Sequence, residues 1–290
     1  MTFLAAFIVG CCLALAGAVL QSVLRNPLAE PYMLGMVGGG ALFSALVLNL
    51  GLVSYGAFVL PVASFLGSCF SLLLVCLIAW CAARARLVNG SDAALRSSSS
   101  TIVVAGFTVG GFTGSLEMLV LSYSEPEAFT KLSKWLFGSL KEVQLPHLVL
   151  GAVVLVGVLV VLMAFRRQLN VMELGHDEAE CLGVNTRLTM VAVIGSVALA
   201  TSVSVALAGA VGFVGLVVPH VVRRLVGPKM ELLLPVSAVA GGLVLVAAQA
   251  VAGWLSDAHD VGVGVICAIF GAPFFLVLLA SRRNGEGRDI

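Results

Sequence analysis

Ionisable side chains inside apolar sequence are the first place to look for chemistry, because a charge held in hydrocarbon is costly and usually serves a proton relay or ion coupling. This chain offers few. Glu117 lies about one helical turn from the end of an apolar run, where it can reach water, and Gln249 is neutral. The densest polar set is His176, Asp177, Glu178 and Glu180, within RRQLNVMELGHDEAECLGVNTR (166–187). A His–carboxylate metal site is one reading. The residues are adjacent rather than at i, i+4 ligand spacing, which favours a solvated face for protein contact. No HExxH, GxSxG, P-loop or paired carboxylates occur. The seven cysteines (11, 12, 69, 76, 81, 181 and 267) contain no CxxC pair, and six lie in or beside apolar runs, so they read as small buried hydrophobes. The expectation is no catalytic residue, no cofactor, no metal and no energy source within the chain.

The elements that carry these groups follow from composition. The chain is 60% hydrophobic and 11% charged, where soluble domains carry about 25% charged residues. Over 290 residues this describes a polytopic membrane protein and gives no sign of nucleic-acid binding. Stretches of about 20 apolar residues place spans near 3–24, 33–53, 57–83, 101–121, 146–165, 188–208, 210–222, 232–255 and 261–281. The first lacks a basic n-region and reads as a membrane helix rather than a signal peptide. If all nine cross, thirteen of the sixteen Lys and Arg fall on one face, which is then cytoplasmic. Lys131, Lys134 and Lys141 share the outer loop 122–145. A nine-span chain of this orientation starts outside, which suggests a helix missing upstream.

Several connections have character. RNPLAEPYMLG (25–35) has two prolines and predicts a structured turn. LVNGSDAALRSSSS (87–100) is a polar inner connector ending in serines suited to capping before Thr101. The outer loop holds WLFGSL (135–140), in which Trp135 suits a membrane interface, and predicts a short surface helix that is either an anchor or a gate. Segment 166–187 predicts one or two short helices broken at Gly175 and Gly183. GAVGFVGLVVPHVVR (209–223) predicts a packed helix with Gly209, Gly212 and Gly215 on one strip. It kinks or stops at Pro219 and delivers His220, Arg223 and Arg224 to the cytoplasmic face.

GAVLQSVLRNPLAEPYMLG (17–35), WLFGSL (135–140), LNVMELGHDEAECLGV (169–184), GAVGFVGLVVPHVVRRLVG (209–227) and GAPFFLVLL (271–279) together resemble the FecCD-type permeases. These are membrane subunits of type II ABC importers for ferric siderophores, haem and vitamin B12. The resemblance implies one all-α permease domain over 1–290, similar to the family's ten-helix fold without its first helix. It implies a second permease copy or paralogue, cytoplasmic ATPase subunits and an extracytoplasmic substrate-binding protein around a lipid-embedded dimer in a bacterial or archaeal inner membrane. By the same likeness the ATPase would be received near 169–187, at Glu173, Leu174, Gly175, His176, Glu178, Ala179, Leu182 and Gly183. The family motif falls on Arg25, Asn26, Pro27, Pro31, Gly212, Phe213, Gly215, Pro219, His220 and Arg223. Gly106, Gly110, Gly114, Trp135, Gly138 and Ser139 would line the pathway or its outer gate.

Two departures stand out. The family's first helix and its Leu-Pro-Arg segment have no counterpart, and the Ala-Asp-x-x-Ala-Arg pattern reads here as Ala248-Gln249-Ala250-Val251-Ala252-Gly253. Arginines from these places face the binding protein in the family, so docking here would use the three outer lysines or a partner permease, or the subunit is degenerate and does not transport. A secondary carrier is a third reading, which the scarcity of buried ionisable groups disfavours.

Overall fold

The computed structural model describes residues 1–88, 98–141, 143–255 and 261–285, and among them all regular structure is helical. The helices are α1 (Thr2–Val23), α2 (Met36–Asn49), α3 (Val59–Val88), α4 (Ser98–Ser122), α5 (Pro126–Leu136), α6 (Leu145–Ala164), α7 (Arg166–Met172), α8 (His176–Cys181), α9 (Thr186–Ala208), α10 (Val214–Val226), α11 (Met230–Leu255) and α12 (Val263–Gly285). Short 3-10 turns at Pro31–Leu34 and Leu52–Tyr55 flank α2. Residues 89–97 of the inner connector lie outside the described residues, and Ser98 to Ser100 already belong to α4.

Six helices, α1, α3, α4, α6, α9 and α11, are long and apolar enough to cross a membrane. The second and seventh expected spans are built differently. α2 has 14 residues and α10 has 13, about 20 Å each against a hydrocarbon core of about 30 Å. Each is preceded by chain outside α-helix, at 24–35, which includes the 3-10 turn Pro31–Leu34, and at 209–213. Such backbone is tolerated at membrane depth when protein surrounds it. The 209–223 stretch is therefore not one helix. Gly209 ends α9 with φ +69, Gly212 lies in the break, and Gly215 alone of the three is in α10. Pro219 neither stops nor ends the helix, which continues to Val226.

α1 organises the packing. It is apolar all round, as a fully enclosed helix must be, and 83% of its span is buried by α6, α9, α10 and α11. Its approach to α11 depends on missing side chains. A Cβ on Gly10 would sit 2.2 Å from the Gly241 carbonyl oxygen, and one on Gly241 would sit 2.4 Å from that of Gly10. Lipid supplies no hydrophobic drive between helices, so this close contact is the source of their cohesion.

Candidate functional site

Four serial features connect the arginine-rich face to the opposite one, beginning with α7 and α8. Arg166 opens α7 at the end of α6, and its Nη1 donates to the Met163 carbonyl at 2.6 Å. Leu169 and Met172 are buried, which seats α7 on the core. Asn170 stitches it to the start of α11: its Nδ2 donates to Glu231 Oε2 at 3.0 Å, and its Oδ1 accepts the Met230 N–H at 2.9 Å. Gly175, with φ +150, turns the chain into α8, and Gly183, with φ +81, turns it out again. The two short helices and both breaks fall where the sequence places them.

The eight residues expected to receive an ATPase separate into two faces. Glu173 points inward, where its Oε1 accepts from Arg223 Nη1 at 2.7 Å and from the Ser22 hydroxyl. Ala179 is fully buried, and Gly175 is enclosed beneath the Glu178 carboxylate. Leu174, Leu182, Glu178 and Gly183 face outward with Asp177 and Glu180, and the two leucines are 62% and 64% exposed. His176 opens α8. Among the described residues no group of three His, Cys, Asp or Glu is placed to hold a metal.

The second feature gathers the residues on which the family motif is expected to fall. Arg25 takes the left-handed φ +48 that ends α1, where the Asn26 N–H bonds back to the Gln21 carbonyl at 3.1 Å, and Asn26 Oδ1 accepts the Leu28 N–H at 3.0 Å to turn the chain on. Arg25 Nη1 reaches the Leu174 carbonyl at 3.4 Å. Pro27 and His220 line one shallow cleft with Phe274 and Phe275. Pro31 opens the 3-10 turn, and its ring would meet a Cβ on Gly215 at 3.0 Å. Pro219 has no N–H for the Gly215 carbonyl four residues earlier. Gln21 replaces it from α1: its Nε2 lies 3.4 Å from Gly215 O and 3.0 Å from Leu216 O.

The third feature is the break before α10. Phe213 adopts φ +68, unusual for a bulky residue. Its N–H is taken by the Glu30 carboxylate, and its side chain occupies the space above Gly271, where a Cβ would lie 2.3 Å away. Glu30, Tyr32, Thr201 and Ser204 border a cavity of about 10 Å³, room for about one water.

The fourth feature is WLFGSL. Trp135 is buried against Leu132, Val205 and Ala210 and is not a membrane-interface anchor. Its carbonyl oxygen would meet a Cβ on Gly209 at 2.0 Å. Gly138, at φ +79, and Phe137 accept the N–H groups of Val263 and Gly264 at 2.9 and 3.1 Å. Ser139 Oγ accepts from Lys141 N at 3.5 Å. The expected short helix is α5, just before this junction.

On α4 the expected pathway glycines differ among themselves. Gly106 is closed: a Cβ there would meet the Met33 carbonyl oxygen at 2.2 Å. Gly110 lies against Gly35 at 3.3 Å, while Gly111 and Gly114 face open space. Glu117 is 94% buried and does not reach water as expected. With Glu30 it makes two enclosed carboxylates where the sequence suggested almost none. Glu30, Gln21, Ser22 and Asn170 were not singled out from sequence. The available signal was that Gln21 and Ser22 are lone polar residues in the last turn of an apolar helix, and that Glu30 is the one acid in the RNPLAEP turn.

The FecCD transport family model matches residues 1–281. The chain is 36% identical to the cobalamin import system permease protein BtuC of Halobacterium salinarum, over 94% of this chain and 70% of that one. It is 31% identical to the hemin transport system permease protein HmuU of Yersinia pestis, over 97% and 81%. A solved inward-facing structure of a metal-chelate type ABC transporter superposes with a TM-score of 0.82 at 29% identity, over 96% of this chain and 86% of that one.

Proposed function

The chain belongs to the FecCD transport family, and from that premise we propose that it is the membrane-spanning permease subunit of an ATP-driven importer for a metal chelate such as a haem, a cobalamin or an iron–siderophore complex. Two ATPase subunits bind the arginine-rich, cytoplasmic face, a substrate-binding protein caps the other, and a second permease completes the pathway. The observation that carries this reading is the division of 166–187 into an inward and an outward face. A segment that only connected spans would have no reason to bond to α1, α10 and α11 while presenting two exposed leucines among acids. Exposed apolar side chains beside polar ones are what a partner interface requires. Glu30 does not argue for an ion-coupled carrier, because its carboxylate is committed to the Phe213 N–H.

The test is uptake in lipid vesicles containing this chain, the ATPase subunits and the binding protein encoded with it. Deleting 173–184 should abolish ATP-driven uptake while the chain stays in the membrane. Undiminished uptake by the deletion would remove the coupling assignment.

A further inference from the structure

Glu173 stands apart from its neighbours in the coupling segment. It closes α7 two residues before the Gly175 turn, so the outward-facing α8 follows it directly. Its carboxylate meets the last turn of two other helices: Ser22 on α1 and Arg223 on α10. The ion pair is about three-quarters buried on both sides, so solvent and salt screen it less than a surface pair. Arg223 Nη2 is buried and has no hydrogen-bond partner among the described residues, so the contact with Glu173 rests on Nη1 alone, at 2.7 Å.

What lies beyond Arg223 gives the contact its consequence. α10 is a rod about 20 Å long whose other end is the 209–213 break. Gln21 ties that rod to α1, and a Cβ on Gly17 of α1 would lie 1.8 Å from Gly215 O, so α1 and α10 are in direct backbone contact. At the far end Glu30 and Gly271 hold Phe213 in its left-handed conformation. A displacement of α8 therefore has a continuous, hydrogen-bonded route to the non-helical break deep in the bundle.

We propose that the Glu173–Arg223 pair, with Ser22, is the joint that passes movement of α8 to the α1–α10 pair and so to the 209–213 break, and that Glu173 is a positioning residue and not a docking contact. The inference rests on the importer reading. The experiment uses the reconstituted complex with hemin, cobalamin and ferric citrate supplied in turn, and compares wild type with Glu173→Gln, Arg223→Gln and the exchange Glu173→Arg/Arg223→Glu. Substrate imported per ATP hydrolysed is read beside membrane level and melting temperature. Each single change should lower the import-to-hydrolysis ratio about 30-fold, the middle of the usual range for coupling between sites. The exchange should restore at least part of that ratio. Three results overturn the proposal: single variants with the wild-type ratio, uptake that falls only in step with membrane level at a constant ratio, or an exchange no better than the singles. A wild-type complex with no ATP-dependent uptake would instead refute the importer reading.

Discussion

The pairing of Gln21 with Pro219 is a compensation across two helices. A proline inside a helix costs about 3 kcal/mol or more, in part because one carbonyl loses its donor. In hydrocarbon that carbonyl has no water to turn to. Gln21 Nε2 supplies the donor at Gly215 and Leu216, and the helix runs on for seven residues past the proline. Gln21→Leu should therefore destabilise the protein by about 1–3 kcal/mol, the cost of an unsatisfied buried acceptor. Adding Pro219→Ala to that variant returns an N–H to Gly215 and should recover most of the loss. Melting temperatures of the three variants in detergent decide this, and a double variant no more stable than Gln21→Leu alone would show that the glutamine acts some other way. Glu30 makes a parallel case at the other end of α10. Glu30→Gln keeps an acceptor for the Phe213 N–H and should melt near wild type, whereas Glu30→Leu removes it and should fall by a similar 1–3 kcal/mol. Equal melting of the two would remove the capping role. Neither pairing was legible in the sequence, because the partners lie about 190 residues apart and no local periodicity links them.

At the level of elements, the six long spans were legible because about 20 consecutive apolar residues have few other uses. Which neighbour each of their glycines meets was not legible. Gly106 and Gly111 are five positions apart on α4 and face opposite situations, one filled by the Met33 carbonyl and the other open. Gly106→Ala should cost about 1–3 kcal/mol by overpacking, and Gly111→Ala should be close to neutral; equal melting temperatures would contradict the placement of α4 on the 3-10 turn. Under the importer reading the open face carries the pathway, so Gly111→Trp should reduce uptake while leaving the membrane level intact. The short elements were misread for a physical reason. α2 and α10 are apolar enough to pass for spans, but a hydropathy window cannot see that 24–35 and 209–213 are not α-helical, because buried protein partners replace α-helical hydrogen bonds there. Trp135 was misread similarly: amphipathic aromatic chemistry suits an interface, yet the close approach at Gly209 draws it into the core.

For the molecule as a whole, the strongest statement from sequence was orientation, and the structure supplies a way to check it. Arg25, Arg223 and Glu173 converge at one end. Trp80 is exposed on α3 with the Arg84 guanidinium 5.4 Å from its ring, and Trp254 is exposed in the last turn of α11, side chains whose chemistry suits a membrane–water interface. Segment 166–187 at that end contains an exposed thiol, Cys181; Cys76 and Cys81 on α3 are also exposed and Cys69 is half-buried, whereas Cys11, Cys12 and Cys267 are buried. In a chain whose Cys69, Cys76 and Cys81 are replaced by serine, a membrane-impermeant maleimide should label Cys181 in inside-out vesicles and not in intact cells, and Cys181→Ser should remove that label. If the ATPase covers the outward face of α8, its presence should slow the labelling at least several-fold, since Leu182 beside the thiol would be enclosed. Labelling of Cys181 from the outside would reverse the orientation and with it the assignment of the arginine-rich face to the cytoplasm. Inside labelling that the ATPase leaves unchanged would keep the orientation and move the docking surface away from α8. The two outcomes separate because one depends on which way the whole bundle faces and the other on what touches a single short helix.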